Sequence, residues 1–281
     1  MTAPGAAPKL PFWKTIGEAY RAWFRHFGLL IRISWLWMLL LVVPLAMIDW
    51  MQAPGLMNLM AQLQRGVIAD LPPVTMFWSL LGQLLLLPAL SSVAVAWHRL
   101  LLRDEQPRPG LYLRLDGIVT GYGVFAFLIG VMLMVPGWLT GLASDPTPSR
   151  AGLSLLAGAL SIVALVYAAR LSLVLPAKAL AEGGATLAMA WRMTRGNTAR
   201  LFFGYLLCIL PWSTIFSLFG RSMFAPEVGR AMVTFELVVS TLSWMIFGMV
   251  SIGFLSVSYG HFTQNTVAEN AVTENAAGAP P

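Results

Sequence analysis

Apolar residues in this chain come in long unbroken runs, separated by short polar stretches. Six runs reach the ~20 residues that a helix needs to cross a hydrocarbon core. They lie at about 28–48, 75–97, 120–142, 152–175, 199–220 and 232–259. A membrane β-strand would alternate apolar and polar residues over about ten positions. These runs do not alternate, so the pattern predicts an all-α, polytopic bundle of six transmembrane helices. The flanks are small and polar. They predict disordered tails at 1–10 and 264–281 around a membrane domain over 11–263. The 50–74 connection contains "MNLMAQLQRGV", which predicts a short surface helix.

The polar stretches are not uniform. "AWRMTRGNTARLF" at 190–202 precedes the fifth run, and a weaker copy, "AWFRHFGLLIR" at 22–32, opens the first. Aligned on Trp23 and Trp191, the copies share Ala22 with Ala190, Gly28 with Gly196 and Arg32 with Arg200. Before the first run, apolar residues at 12, 13, 16, 20, 23, 24 and 27 fall at helical spacing. Thr15 and Glu18 read as a capping box, and Lys14, Arg21 and Arg25 lie off the apolar stripe. Two placements suit such a basic, aromatic helix: flat in the membrane interface, or packed on the cytoplasmic ends of the bundle. In the second copy Leu187, Ala190, Trp191 and Thr194 share one face, while Arg192 and Arg195 point elsewhere. Gly196 suits a left-handed helix end, and Asn197 suits the N-cap of the fifth span. Gly28 is expected to make the turn in the first copy. Arg32 and Arg200 sit near helix N-termini, where a cation is mildly unfavourable. They are expected to snorkel to anionic lipid phosphates. A degenerate third copy, "RPGLYLRLDGIVTGYG", precedes the third run.

Charge orients the bundle. With the N-terminus cytoplasmic, fourteen of the 18 Lys and Arg residues collect on that side. They flank the first run, the 99–116 connection and the 170–200 connection. The other side holds Arg65, Arg150, Arg221 and Arg230. By the positive-inside rule both termini are cytoplasmic. The formal charge of +6 then reflects loops and lipid phosphates, and nucleic-acid binding is excluded for want of a basic stripe or motif. Only 11% of residues are charged and 58% are hydrophobic, against about 25% and 45–50% in a soluble domain. The single cysteine, Cys208, lies in an apolar run and reads as a small hydrophobe. The first run begins too late and is too long for a signal peptide, so it is expected to be retained.

"AWRMTRGNTARLF" resembles the Ala-Trp-x-x-Thr-Arg/Lys-Gly-Asn-x-x-Arg/Lys-Leu-Phe signature of bacterial six-helix membrane proteins. These include YciC-like inner-membrane proteins and the membrane domain fused to some glycerophosphodiester phosphodiesterases. "AVAWHRLLLRDE" at 94–105 is similar to the end of the second span in proteobacterial relatives. The resemblance covers most of 12–262 and implies a bacterial inner-membrane protein without an established activity. The phosphodiesterase catalytic domain is absent from this sequence, so its chemistry does not carry over.

Candidate chemistry is sparse. His26, His98 and His261 fall at cytoplasmic span ends, but no HExxH or CxxC spacing supports a metal. No cofactor and no catalytic group is expected. Arg32, Arg170 and Glu236 lie within reach of membrane ends; Arg170 is expected to snorkel inward, and Glu236 to pair with Arg221 or Arg230. Gln83 is the most central strongly polar residue and is expected to hydrogen-bond a neighbouring helix. Pro88 and Pro211 lie deepest among the prolines. The leading expectation is a non-enzymatic protein organising lipids, anionic headgroups above all, or a membrane-protein partner at the cytoplasmic face. Its lipid-facing residues would be Arg21, Trp23, Arg25, Arg32, Trp191, Arg192, Arg195 and Arg200. The alternative is a small permease or transporter component, marked by a polar cavity reaching Gln83, Pro88 or Pro211. A lipid-modifying enzyme would need His98, His261 and Asp104 in one pocket.

Overall fold

The computed structural model describes residues 8–65, 73–107, 110–142, 148–220 and 229–277. Among these, regular structure is entirely helical. The order is α1 (Phe12–Arg25), α2 (Phe27–Gln64), α3 (Pro73–Arg103), α4 (Gly117–Leu142), α5 (Pro148–Leu171), α6 (Val174–Ala179), α7 (Leu187–Met193), α8 (Thr198–Gly220), α9 (Arg230–Phe247) and α10 (Met249–Ala277). Six stretches are long and apolar enough to cross a membrane: Phe27–Leu59, Pro73–Arg103, Gly117–Val135, Leu155–Ala179, Thr198–Ile215 and Arg230–Gln264. The chain is an integral membrane protein with six such helices among the described residues. The last one is α9 and α10 together, joined through Gly248, whose backbone stays in the right-handed helical region.

Several rods are longer than a bilayer needs. The 38 residues of α2 make about 57 Å at 1.5 Å per residue, against a hydrocarbon core of about 30 Å. "MNLMAQLQ" is therefore not a separate surface helix but the last turns of α2. Nothing in 55–64 breaks the helix, and Leu, Met, Gln and Ala are good helix formers. Helix α10 likewise runs on as far as Ala277. "NTVAENAVTENAA" carries no Gly or Pro, and its Ala and Glu residues favour helix. Residues 278–281 and 1–7 lie outside the described residues.

Packing is concentrated at one end. Residues 91–98 of α3 are all buried, as are most of 249–259 in α10 and 172–177 around α6. Here α10 is surrounded by α1, α3, α6 and α8. Gly204 of α8 lies against the Phe254 ring, where any Cβ would collide with it. The glycine therefore sets how closely α8 and α10 approach. Toward the other end Met47, Phe77, Leu84, Leu155, Leu210 and Phe235 stand exposed. A lipid environment accommodates such side chains without cost, since lipid tails are as apolar as leucine.

Candidate functional site

The segment before α1 meets the second elbow at the packed end. In α7, Thr186 accepts a hydrogen bond from the Met189 N–H at 3.1 Å and so caps the helix start. "Thr-Leu-Ala-Met-Ala-Trp" carried that signal unread. The helix ends through Thr194, and Gly196 takes φ +79°, as expected for a left-handed turn. Leu201 N–H then bonds the Asn197 carbonyl at 2.9 Å, which opens α8.

The Asn197 side chain does not cap that helix. Its Nδ2 donates to the Pro8 carbonyl at 2.9 Å, and its Oδ1 accepts from the Leu10 N–H at 2.8 Å. A primary amide carries both a donor and an acceptor, so one side chain pairs with the chain as a neighbouring strand would. Arg200 adds a bond to the Leu10 carbonyl at 2.7 Å. Leu10 is fully buried. Residues 8–10 are thus fixed to the second elbow. Long-range pairing of this kind leaves no periodic trace in sequence.

Arg32 does the same work at the first elbow. It donates to the Pro107 carbonyl at 2.6 Å and holds the α3–α4 connection. Both arginines were expected to reach lipid phosphates. Each satisfies a backbone carbonyl of a non-helical segment, because a guanidinium can reach several angstroms to an acceptor left without a helical partner.

The rest of the first elbow departs from its copy. Gly28 lies within α2, and the bend falls at His26, with φ −108° and ψ 18°. Thr15 is not an N-cap. The helix already starts at Phe12, and the Thr15 hydroxyl donates to the Pro11 carbonyl at 2.9 Å. Glu18 faces Lys14 across 3.9 Å on the surface. Helix α1 packs against α8 and α10. Leu10 pairs with Asn197 and Arg200, the Tyr20 hydroxyl donates to the Leu207 carbonyl at 3.1 Å, and Trp23 meets Trp212. These partners progress along α8, so α1 runs lengthwise beside it. Burial pushes the Tyr20 phenol up to about 12, with a smaller contribution from Cys208.

The tryptophans also differ. Trp23 is 4% exposed; its Nε1 donates to the Ile246 carbonyl at 3.0 Å, and its ring stacks on Phe247. It belongs to the core, not to the lipid boundary. Trp191 is 38% exposed and stacks on Tyr167 with 5.0 Å between ring centroids. Arg170 lies 3.3 Å over the Trp191 ring. Its Nε donates to Thr194 Oγ1 at 2.8 Å, and a terminal nitrogen donates to the Trp191 carbonyl at 2.7 Å. Arg170 is buried and does not snorkel to solvent; it bolts α5 to α7. Arg21, Arg25, Arg192 and Arg195 remain exposed, with no side-chain hydrogen bond or ion pair among the described residues.

No third elbow forms. Residues 104–107 and 110–116 are non-helical, and Asp104 and Gly110 have positive φ. Glu105 pairs with Arg99 at 2.8 Å and Asp116 with Arg114 at 2.7 Å. Asp116 also accepts from the Ile118 and Val119 N–H groups at 3.1 and 3.0 Å, capping α4. Slight burial raises its pKa, but the Arg114 guanidinium and those N–H groups outweigh this and hold the carboxyl below its usual range. Burial raises the Tyr112 phenol. Between this strap and α3 lies a cavity of about 450 Å³, bordered by Ala96, Arg99, Glu105, Pro107, Tyr112, Arg114 and Asp116. The sequence reading missed it, because its walls are brought together by the return of the strap along α3.

Other expected residues are scattered. His98 is fully buried between Ser256, 2.7 Å from Nδ1, and Tyr122, 3.3 Å from Nε2. It joins α3, α10 and α4. His26 lies edge-on to Trp97, and Asp104 is exposed on the strap. No three His, Cys, Asp or Glu residues among those described gather as metal ligands. Gln83, Pro88 and Pro211 are all exposed, and Gln83 makes no side-chain bond to a neighbouring helix among the described residues. Arg230 is committed to the Trp50 carbonyl and ring, 4.2 Å away, rather than to Glu236. Arg221 lies outside the described residues. No family model matches the chain, nor does any curated protein or any solved structure.

Proposed function

We propose that this is a non-enzymatic protein of the bacterial inner membrane that organises anionic lipid, or a membrane partner, at its cytoplasmic face. Both termini lie on that face by the distribution of Lys and Arg. The observation that carries the reading is a division of labour among arginines. Arg32, Arg170 and Arg200 are spent on backbone carbonyls, Thr194 and Trp191. Arg21, Arg25, Arg192 and Arg195 stay exposed, their side chains without a protein partner among the described residues. On α1 the exposed arginines stand with Trp13, 74% exposed, and Phe24, 67% exposed. Basic and aromatic side chains on one outward face suit a headgroup layer. Each basic residue near an anionic surface contributes about 1 kcal/mol. The resemblance of 190–202 to six-helix inner-membrane proteins supports the same placement.

The test uses purified protein carrying co-purified phospholipid. Replacing Arg21, Arg25, Arg192 and Arg195 together by Gln is expected to lower retention of phosphatidylglycerol and cardiolipin in native mass spectrometry at least tenfold, with unchanged thermal stability. Equal retention in wild type and variant would overturn the proposal.

A further inference from the structure

The strap between α3 and α4 carries an alternation that the elbows do not use. In "LYLRLD", residues 111–116, Leu111, Leu113 and Leu115 are 71%, 49% and 66% exposed. Tyr112, Arg114 and Asp116 are partly buried and border the cavity beside Ala96 and Arg99. Leu111 and Leu113 also border it, but much of each side chain is turned outward. Successive side chains of an extended segment point to opposite sides, so this is one apolar face and one polar face.

The register is pinned at both ends. Upstream, Arg32 holds the Pro107 carbonyl. Downstream, Asp116 caps α4 and binds Arg114. A slip of one residue would exchange the faces and break the Asp116 contacts. Three leucines are therefore held outward by polar bonds on the opposite side.

The level of the strap is set by its neighbours. Ala96 and Arg99 lie on the flank of α3, one to two turns before its end at Arg103. Gly117 begins a membrane-crossing stretch, two residues after Leu115. The strap thus lies beside the bundle at a span boundary rather than above it. No backbone hydrogen bond to another segment pairs residues 111–115 among those described. Unpaired backbone is not tolerated in hydrocarbon, which keeps the strap itself at headgroup depth and lets only its side chains dip inward.

We propose that the strap is a membrane anchor, in which Leu111, Leu113 and Leu115 insert into the lipid leaflet at the packed end of the bundle. It is independent of the exposed arginines of the elbows and requires only the six spans. The anchor fixes the outer wall of the charged cavity against the bilayer surface.

Single spin labels on a Cys208→Ser background test this in phosphatidylethanolamine–phosphatidylglycerol vesicles. Labels at Leu111→Cys, Leu113→Cys and Leu115→Cys should collide with oxygen and be shielded from a water-soluble nickel chelate at least fivefold relative to a label at exposed Glu105. Labels at Tyr112→Cys and Arg114→Cys should not show that preference. Odd positions as open to the nickel chelate as Glu105 would overturn the anchor. So would odd positions shielded from both reagents, which would mean that a second copy or another protein covers the leucines. Exposed leucines carry little packing, so a triple Leu→Ser variant should fold with unchanged thermal stability.

Discussion

The two elbows share Ala, Trp, Gly and Arg at matched positions, yet only the Arg does the same work in both. Arg32 and Arg200 each hold a carbonyl of a non-helical segment. Trp23 is sealed in a core of Trp212 and Phe247, whereas Trp191 lies half open between Tyr167 and Arg170. Gly28 is an ordinary helical residue, whereas Gly196 has the left-handed backbone. The difference follows from what surrounds each elbow. The first is laid along α8 and α10 and is buried on one face. The second is a short helix packed on α5 and α6, with Leu187 and Trp191 left partly exposed. A shared motif therefore fixes the turn into a span, and packing decides what each side chain does there.

The comparison is broken most strongly at the tryptophans. Trp23→Ala removes a fully packed ring and its bond to Ile246, and such truncations cost about 3–5 kcal/mol. Trp191→Ala removes a ring that is already partly exposed, and is expected to cost about half as much or less. Thermal unfolding in detergent, followed by near-ultraviolet circular dichroism, reads both. Equal losses would mean that the elbows are equivalent after all. Next in size is Arg170→Gln, which removes charge-assisted bonds to Thr194 and Trp191, worth about 1.5–3 kcal/mol for a group of this kind. Arg170→Lys should not restore it, since an ammonium cannot donate in a planar fork while lying over the ring. Full rescue by Lys would show that charge alone holds α7.

Six apolar runs were enough to specify six membrane helices, because a bilayer demands continuous apolar length and little else. Gly196 was equally legible, since a glycine between a helical stripe and an apolar run has one common backbone use. The fates of Arg32, Asn197 and Arg200 were not. Their residue types fit snorkelling and capping well, and the competing partners, Pro107, Pro8 and Leu10, lie 75 to 190 positions away. Local signals name what a polar group can do. Only the tertiary arrangement names which acceptor reaches it first. The third elbow failed for a related reason: Asp116 caps α4 directly, so no preceding helix is needed.

Asn197 sharpens the contrast, because the first elbow has no counterpart to it. Asn197→Ala leaves the Leu10 N–H without its partner, at a cost of about 1–2 kcal/mol. The clearer readout is local. Hydrogen exchange at residues 8–12 should rise at least tenfold while α10 is unchanged. Asn197→Asp should fail nearly as badly, since a carboxylate accepts from Leu10 but cannot donate to Pro8. Protection retained in both variants would show that burial of Leu10 alone holds the segment.

The matched glycines give the smallest effect and the most discriminating one, because its sign should reverse. At Gly196 an alanine must adopt φ near +79°, which costs an L-residue about 1–2 kcal/mol. No neighbouring atom blocks the Cβ, so the loss would come from backbone strain alone. At Gly28 the backbone is helical and a Cβ likewise meets open space. Replacing glycine by alanine within a helix gains about 0.5–1 kcal/mol. Gly196→Ala should therefore lower the melting temperature and Gly28→Ala should hold or raise it. The double variant should lie between them, since the two sites share no contact. Destabilisation by both would place a left-handed turn at Gly28 as well, and the elbows would then be structural copies rather than copies in sequence only.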